Sequence, residues 1–501
     1  MGRNKQENTK PYLLPEPLYC DPEEIRDGIT MDLVNKYIKL HEKRMRRYVY
    51  LENLYKGFHD IFRQPEKQDW NPDWRLAVNF PRYLTVTFAG YGYGLGIGVT
   101  HEDDNINASI RAFEKRNEMK HHNSVMVRRC CEYGHAFEYM YQDENANTCV
   151  KALTPKELFV VYDDHMKERA LFAVRYDRHT KGGHLGEPFG EILGREMIEP
   201  FDKGQKLPGE AYENWYAPRI NVVEWMLNDD RMGLYESVAG LIELYDHTIS
   251  EKSNDVDSFA EAILALFGPE LDLEQVEDMR RKRILNIYGQ SDEMAKAAAE
   301  YLVKPSADGT QENLLDRIER LIYQIAMVAN ISDESFGSAT SGAALAYKLW
   351  STSNLVMDAN TLIEKSIRKR MKLWCTFDRN TTNKNVHEEI DIHFLPNVPD
   401  NASEQIDNLQ KLDGHVSTRT KLSAAPAVVP DPDAEIERMQ QEEAERLQIE
   451  EERQSQYMGF SQKLQPEELL NQLRSEADSR QVTLQELIGQ LEGNGDGEEQ
   501  S

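Results

Sequence analysis

This sequence of 501 residues contains many side chains that could ligate a metal or take part in catalysis. Few of them have the spacing that a metal site or a catalytic site requires. The best candidate is Asp163-Asp164-His165, because carboxylates and an imidazole can ligate a divalent metal. These residues also fall where a hairpin turn is expected, and we favour the turn. His121 and His122 are adjacent, so on a helix they point in different directions and predict no shared metal ion.

Motifs for nucleotide chemistry and acyl transfer are absent from the sequence. No glycine is followed by lysine, which excludes the P-loop of ATPases, and no Gly-x-Ser-x-Gly elbow occurs. The alternating glycines of residues 90–98 do not match the dinucleotide-binding pattern, and they indicate close backbone approach in a strand or in helix packing. The sequence therefore predicts no catalytic residue, no cofactor and no metal site, and it does not support an enzyme.

Charge and cysteine usage narrow the class of protein further. The net charge of -28 opposes simple electrostatic attachment to nucleic acid, because such attachment needs lysines and arginines that displace counterions. The acid is concentrated in residues 431–501, which carry 19 acidic against 6 basic residues. Five cysteines without a Cys-x-x-Cys pair predict buried thiols in a reducing compartment. No stretch predicts a membrane span, since the nearest candidate, 83–100, is rich in glycine.

The hydrophobic pattern predicts an α+β protein of several domains. Helices are predicted over 29–55 and from 231 to about 255, the second capped by Asn228, Asp229 or Asp230. Short strands are predicted between 134 and 176, followed by a loop or an edge hairpin over 177–215. Further along the chain the pattern predicts strands at 262–267, 284–288 and 388–395, and helices at 292–302, 403–413, 417–425 and 431–453, with a capping box at Thr483–Glu486.

Residues 313–374 predict two helices joined by a polar break. Apolar residues recur every three or four positions from Leu314 to Val328, and a proline-free helical pattern runs from Leu345 to Trp374. Gly337 and Gly342 permit backbone angles that other residues resist, and Thr340 or Ser341 could cap the second helix. Periodicity alone predicts an ordinary helical hairpin with a mobile loop.

The order of these segments resembles the portal proteins of tailed bacteriophages, of the subtype found in long-tailed phages of Gram-positive bacteria. The resemblance spans about 75–440 and rests on collinear short stretches: Asn79–Arg82, Gly90-Tyr91, Gly94, Tyr133–Tyr139, Asp143-Glu144, Pro155, Val160–Asp164, Ala173–Tyr176, Val222–Trp225, Asn228-Asp229, Phe336-Gly337, Ser341–Leu345, Tyr347–Leu349 and Pro426–Glu435. Each stretch is weak alone, and their order carries the likeness.

The resemblance implies the portal fold, with wing, stem, clip and crown. Its segments would be a wing at 29–230, stem helices at 231–256 and 309–330 around a clip at 257–308, a tunnel loop at 331–342, a long wing helix and wing strand at 343–400 and a crown at 401–453. Outside them, polar and proline-marked composition predicts a flexible N-terminal arm at 1–28, and the acidic tail at 454–501 has no assigned counterpart in the family.

It also implies which residues would meet DNA or partners. The residues of the tunnel loop facing DNA would be Ser332, Asp333, Glu334, Ser335, Phe336, Gly337, Ser338, Ala339, Thr340, Ser341 and Gly342. The basic residues of the clip, Arg280, Arg281, Lys282 and Arg283, could form subunit salt bridges, contact the terminase or contact DNA. Arg368, Lys369, Arg370 and Lys372 are more typical of a solvated or interface face than of a DNA grip.

The implied function is a passive ring of twelve subunits at one capsid vertex. Its partners would be double-stranded DNA in a central tunnel, the large terminase subunit, head completion and connector proteins, and the major capsid and scaffolding proteins, with no membrane. The protein would be part of the virion after assembly in the host cytoplasm. Two alternatives stay open at this point: a phage head-associated metal-dependent nuclease using Asp163 and Asp164, and a non-portal capsid or scaffold component.

Overall fold

The structure is a computed structural model, and it describes residues 16–67, 72–165, 169–181, 184–207, 209–260, 263–268, 284–288, 298–302, 308–331, 342–397, 414, 416–423, 429, 432–461, 466–479 and 483–486. Two compact units divide the chain, Met1–Val398 and Pro399–Ser501. In the described part, no helix is long and apolar enough to cross a lipid bilayer.

Helices and strands alternate in blocks along the chain. The helices are α1 (Met31–Lys56), α2 (Phe80–Tyr93), α3 (Asp104–Arg116), α4 (Met119–Tyr133), α5 (Ala239–Ala260), α6 (Asp308–Ala326), α7 (Gly342–Trp374), α8 (Val386–Glu389), α9 (Thr418–Ser423), α10 (Pro432–Ser461) and α11 (Pro466–Ser479). The strands are β1 (Leu18–Cys20), β2 (Ile97–Thr100), β3 (His135–Gln142), β4 (Thr148–Leu153), β5 (Leu158–Asp163), β6 (Ala170–Lys181), β7 (His184–Leu193), β8 (Met197–Asp202), β9 (Gln205–Lys206), β10 (Tyr212–Glu213), β11 (Val222–Met226), β12 (Ile263–Gly268), β13 (Ile284–Tyr288), β14 (Ala298–Leu302) and β15 (Asp391–Phe394). This mixture confirms the α+β class.

Four sheets form among the described strands. The largest has the order β1-β5-β6-β7-β8-β10, with β9 paired to β8, and β1 is its parallel member beside β5. A second sheet has the order β11-β3-β4, a third β13-β12-β14, and β15 pairs with β2. Sequential strands are mostly antiparallel neighbours, as short connections allow.

The largest sheet is covered on both faces, and β5 shows how its sequence permits this. Phe159 and Val161 belong to a core cluster shared with α1, whereas Leu158 and Val160 belong to a cluster shared with β3 and β11. Successive strand side chains point to opposite faces, so the unbroken apolar run is what a strand buried on both sides requires.

The main core lies among the helices of the first unit. Trp374 of α7 and Trp225 of β11 are among its largest fully buried side chains, and they share one cluster with apolar residues of α1, α2, α4, α5 and α6. The long helix α7 therefore runs against both the helical body and the β11-β3-β4 sheet.

Many predicted elements are confirmed. Helix α1, the short strands β3 to β6 and the strands β12 and β13 lie within a few residues of their predicted positions. Of the two options for the glycine-rich stretch, helix packing is right for its first part, since Phe80–Tyr93 is helical. Asp163 takes part in a turn, where its Oδ1 atom accepts a hydrogen bond of 2.9 Å from the Arg169 amide.

Several predictions about local structure were wrong. The flexible arm predicted for 1–28 is ordered from β1 onward, because Leu18–Cys20 pairs with β5 and Pro22–Ile25 forms a 3-10 helix. Of the loop or edge hairpin predicted over 177–215, however, the hairpin is right, because β7 and β8 pair antiparallel toward the edge of the largest sheet. The strand predicted over 388–395 is limited to β15, since Val386–Glu389 forms a helical turn.

The helix predicted from 231 begins at Ala239, after a 3-10 turn at Glu236–Val238. Asn228 closes a tight turn instead of capping a helix, because its Oδ1 atom accepts a bond of 2.8 Å from the Met232 amide. Arg231 there has a φ of 52°, which a right-handed helix excludes.

A helix was predicted over 292–302, but its last five residues form strand β14, and 292–297 lie outside the described residues. Ala298–Leu302 pairs antiparallel with β12, so pairing with a neighbouring strand overrides the helical preference of alanine, glutamate and leucine. The charged helix predicted to end near 453 continues to Ser461. The helix predicted over 403–413 lies outside the described residues.

Candidate functional site

The predicted DNA-facing loop is described only at its two ends. Residues 332–341 lie outside the described part of the chain, and Gly342 is the first residue of α7. The predicted clip residues Arg280–Arg283 also lie outside it. The structure therefore describes the helices that carry the loop and the contacts that fix its ends.

The chain leaves α6 through a left-handed residue. Met327 has a φ of 56°, and the Val328 amide donates a bond of 3.3 Å back to the Tyr323 carbonyl. Val328 and Ala329 are buried. A non-glycine residue with positive φ is strained unless its surroundings hold it, so the exit direction of the chain is fixed by tertiary contacts.

Thr352 of α7 provides those contacts. Its Oγ1 atom accepts a hydrogen bond of 2.9 Å from the Ala329 amide and donates one of 3.2 Å to the Met327 carbonyl. The residue is fully buried, so this one hydroxyl pairs two backbone groups that water does not reach. The start of the loop is thereby attached to the helix that follows it.

Two further bonds attach the last described residues before the loop. The Ile331 amide donates a bond of 2.9 Å to the Tyr83 hydroxyl of α2, and Asn330 Nδ2 donates one of 3.4 Å to Glu319 Oε1. The Tyr83 ring packs edge-on against Tyr323 of α6, with ring centroids 5.7 Å apart. Side chains from α2, α6 and α7 therefore converge at this end of the loop.

The other end enters a helix packed tightly against α2. Leu349, Thr352, Val356 and Ala359 of α7 are buried at spacings of three and four, which places them on one helix face. Gly92 of α2 meets this face, and a Cβ there would lie 2.9 Å from both methyl carbons of Val356. Only glycine permits this helix crossing without displacement.

Helices α5 and α6, which precede the loop in the chain, pack against each other. Tyr245 of α5 and Tyr323 of α6 both place their rings edge-on to Phe80 of α2, at centroid distances of 5.0 and 5.9 Å. Near the far ends of the pair, Lys252 forms an ion pair with Glu312. The contacts of the two helices are therefore aromatic near one end of the pair and polar near the other.

A row of polar side chains on α5 holds an extended segment along the helix. Asp246 Oδ1 accepts a bond of 2.8 Å from the Val78 amide, Ser250 Oγ one of 2.9 Å from Leu76, and Asn254 Oδ1 one of 2.6 Å from Trp74. Two extended residues rise about 6.6 Å and four helical residues about 6 Å, so alternate amides of the segment stay opposite every fourth helix position.

His59 completes this row from the turn after α1. Its Nδ1 atom makes a short contact with Asp246 Oδ2, and its Nε2 atom lies 3.0 Å from the Leu54 carbonyl oxygen. Both side chains are almost fully buried. Both ring nitrogens face oxygen atoms, so His59 joins the end of α1 to helix α5.

Charged groups are also buried where α7 crosses the body of the protein. Arg370 donates bonds of 2.7 Å to both carboxylate oxygens of Glu138 and one of 2.8 Å to Asn123 Oδ1. Burial alone would raise the pKa of Glu138, but Arg370 and the His122 hydrogen bond outweigh it and lower that pKa to about 2. The prediction of a solvated or interface face is therefore wrong for Arg370, which is a buried anchor.

A second buried carboxylate fixes the turn before α5. Glu224 of β11 accepts bonds of 2.8 and 3.0 Å from Arg231 and one of 2.9 Å from His135 Nδ1, and it also meets the Tyr162 hydroxyl. Burial opposes ionisation of Glu224, yet the hydrogen bonds from His135 and Arg231 bring its pKa well below the ordinary range. These contacts hold Arg231 in its left-handed conformation.

Sequence reasoning missed the polar row on α5, although a signal for it was present. Asp246, Ser250 and Asn254 recur every four residues and so share one face of a helix. Polar residues at that spacing, next to an apolar stripe, indicate a buried partner with backbone donors. Nothing in the spacing shows which segment supplies those donors.

Comparison with known proteins adds the decisive observation. The sequence profile of the family "Phage portal protein, SPP1 Gp6-like" matches residues 34–448. The chain belongs to this family. It is also 24% identical over 345 residues to the portal protein of Bacillus phage SPP1, a match covering 63% of this chain and 65% of that relative. The chain is therefore a member of the phage portal family, and its match spans slightly less than two thirds of the length of that relative.

Two solved structures of neck assemblies show weaker similarity. The neck of the native GTA particle, computed with C12 symmetry, gives a TM-score of 0.42 at 12% identity over 75% of this chain and 92% of that one. The neck of the empty GTA particle, computed with C6 symmetry, gives 0.40 at 12% identity over 69% and 88%.

Proposed function

We propose that this portal protein forms a closed ring at one capsid vertex, through which double-stranded DNA passes during packaging and ejection. The ring would contain twelve subunits, and it would bind the large terminase subunit, head completion proteins, and the capsid and scaffolding proteins. Family membership supports this role directly. The proposal keeps the predicted wing, stem, clip, tunnel loop and crown, with helices α5 and α6 as the stem and 257–308 as the clip.

The observation that carries the proposal is the way the first end of the predicted tunnel loop is held. This end is bonded to Thr352 and Tyr83, and the helix that follows the loop, α7, packs against α2 at Val356. A loop that contacts sliding DNA needs rigid attachment points, because movement of those points would change the position of the loop relative to the DNA. The proposal assigns Ser332–Gly342 to that loop.

The charge of the chain also suits a conduit. With a net charge of -28 for each copy, the assembly would be strongly acidic. Each additional cationic contact to a phosphate would release counterions and strengthen binding, so a largely repulsive wall lets DNA slide.

Deleting Ser335–Thr340 tests the role of the loop. Rings should still assemble, because the contacts that hold the two ends are retained, while DNA packaging or retention should fail. Deleting Asn494–Glu499, also six residues, is the control matched in length and should leave packaging unchanged. Normally filled heads from the loop deletion would contradict the assignment.

A further inference from the structure

Helix α5 lies in the middle of a three-layered slab. Its residues Asp246, Ser250 and Asn254 bind the segment 72–78, whereas Lys252 and Asp255 face α6. At about 100° of rotation per residue, these two sets point in roughly opposite directions. The slab is therefore ordered as segments 57–67 and 72–78, then α5, then α6, with an outer face on each side.

One outer face is cationic and partly apolar. Arg317 and Arg320 of α6 are exposed, and neither has an ion-pair partner among the described residues. Leu314 and Ile325 on the same helix are 41% and 47% exposed. We call the exposed side of α6 around these four residues the α6 face.

The opposite outer face is aromatic and carries unneutralised acid. Phe58, Phe62 and Trp74 are 62%, 46% and 55% exposed. We call this surface, on segments 57–67 and 72–75 with the end of α5, the aromatic face.

The charges of the aromatic face do not balance within the chain. Its bases are already paired: Arg63 with Asp60 at 3.1 Å, Lys67 with Glu251 at 2.8 Å and Arg75 with Asp73 at 2.7 Å. Glu66 has no ion-pair partner in the described part of the chain, and Asp257 accepts only the neutral Trp74 indole N–H there. Among the described residues, two carboxylates therefore remain unpaired on this face, and two arginines remain unpaired on the α6 face, where the exposed carboxylate of Asp316 partly offsets their charge.

We infer that the α6 face of one copy docks on the aromatic face of the next copy. This rests on the proposed ring, and it names the surfaces that close it. A cyclic ring requires a heterologous contact, in which two different patches on opposite sides of each subunit complement each other. Arg317 and Arg320 would meet Glu66 and Asp257, while Leu314 and Ile325 would cover the exposed aromatic rings.

A second copy fits these faces better than DNA does. DNA would recruit the arginines of the α6 face but would leave the exposed apolar side chains beside them and the entire aromatic face unused. The contact is only part of an interface, because a helix of 19 residues is about 28 Å long and about 10 Å wide. That area is less than half of the about 800 Å² per partner in a standard interface.

Charge reversal on each face tests the inference. One variant carries Arg317→Glu and Arg320→Glu, and the other carries Glu66→Lys and Asp257→Lys. The control carries Lys39→Glu and Lys43→Glu at exposed positions of α1, so its net charge changes by the same amount as in the double arginine variant. Ring formation is measured by light scattering and negative-stain images at low ionic strength, where charge interactions are least screened, and circular dichroism checks folding.

Wild type and control should form rings, and each reversed variant alone should lose at least tenfold of its ring fraction. An equal mixture of the two should restore rings, since each copy then finds an oppositely charged neighbour on both sides and twelve is even. A chain with all four substitutions should also assemble.

Rings from either reversed variant alone would overturn the inference while leaving the proposed function intact. So would rings that form normally but fail to package DNA, since the arginines would then act on DNA. Folded variants that assemble neither as the mixture nor as the fourfold chain would also overturn the pairing of these faces. If wild type itself formed no rings, the proposed function would fail as well.

Discussion

Gly92 of α2 and Val356 of α7 are in such close contact that a Cβ at position 92 would lie 2.9 Å from both valine methyl carbons. An alanine in the middle of a helix normally stabilises it relative to glycine by about 1 kcal/mol. Here the added methyl group would force the two helices apart, and overpacking of this kind costs about 1–3 kcal/mol. The approach of α7 to α2 thus depends on one missing methyl group.

We therefore expect Gly92→Ala to lower the free energy of unfolding by about 1–3 kcal/mol, measured by chemical denaturation. Gly90→Ala is the matched control, because nothing lies within 4 Å of a Cβ there, and it should be neutral or slightly stabilising. Val356→Ala should restore part of the loss in the double variant. Equal effects at positions 90 and 92 would refute the close contact.

Thr352→Val should loosen the start of the proposed tunnel loop. The substitution keeps the shape of the side chain but leaves the Ala329 amide and the Met327 carbonyl unpaired, at a cost of about 1–3 kcal/mol. Hydrogen exchange of peptides containing Ala329 should accelerate at least tenfold. Thr352→Ser keeps the hydroxyl and should retain slow exchange; equal exchange in both variants would show that the hydroxyl does not hold this segment.

Asp246→Asn should destabilise the attachment of α5 to the turn after α1. The amide preserves the size of the side chain but removes the charge that faces buried His59, and breaking a buried ion pair costs about 3–5 kcal/mol. Asp230→Asn, at an exposed position, is the control for the same chemical change. A loss no greater than that of the control, measured by denaturation, would mean that the pair contributes little.

Glu114 should make the protein less stable as the pH rises. Burial raises the pKa of this carboxyl to about 7 from an ordinary value of 4.5, although Arg370 and Arg111 oppose the shift. The folded protein thus holds this proton more tightly than the unfolded chain does. Its contribution is complete below about pH 4.5 and is lost as the pH rises through 7.

Glu114→Gln should remove this decline, so the variant should gain stability relative to wild type at pH 8 but not at pH 4. Denaturation midpoints at several pH values measure the difference. Glu102→Gln changes an exposed carboxyl just before α3 and should leave the wild-type profile unchanged. A parallel profile for Glu114→Gln would contradict the raised pKa.

The spacing of apolar residues predicted the helices that bury one regular face. It did not predict the elements whose conformation depends on contacts with another part of the chain. The apolar stripes gave α1, α6 and α7 within a few residues, because a helix that buries one face needs that spacing. The strand at Ala298–Leu302 was missed because pairing with β12 decides its conformation. The start of α5 was missed because the local pattern does not show that Glu224, on strand β11, binds Arg231 and holds the turn there.

The same limit applies to the site. The sequence identified the polar break between α6 and α7. Nothing in the helical pattern singles out Thr352, because its role depends on contact with the Ala329 amide. Arg370 sits in a basic run that suggests solvent exposure, and only the position of Glu138 reveals its burial. These two contacts join residues 23 and 232 positions apart, so spacing along the chain does not encode them.

Electron microscopy of the purified full chain, combined with light scattering for mass, tests the central claim most directly. We expect closed rings with rotational symmetry and a central opening wide enough for double-stranded DNA, at a mass of about twelve chains. Monomers at micromolar concentration, or open filaments and lattices in place of closed rings, would contradict the proposed conduit.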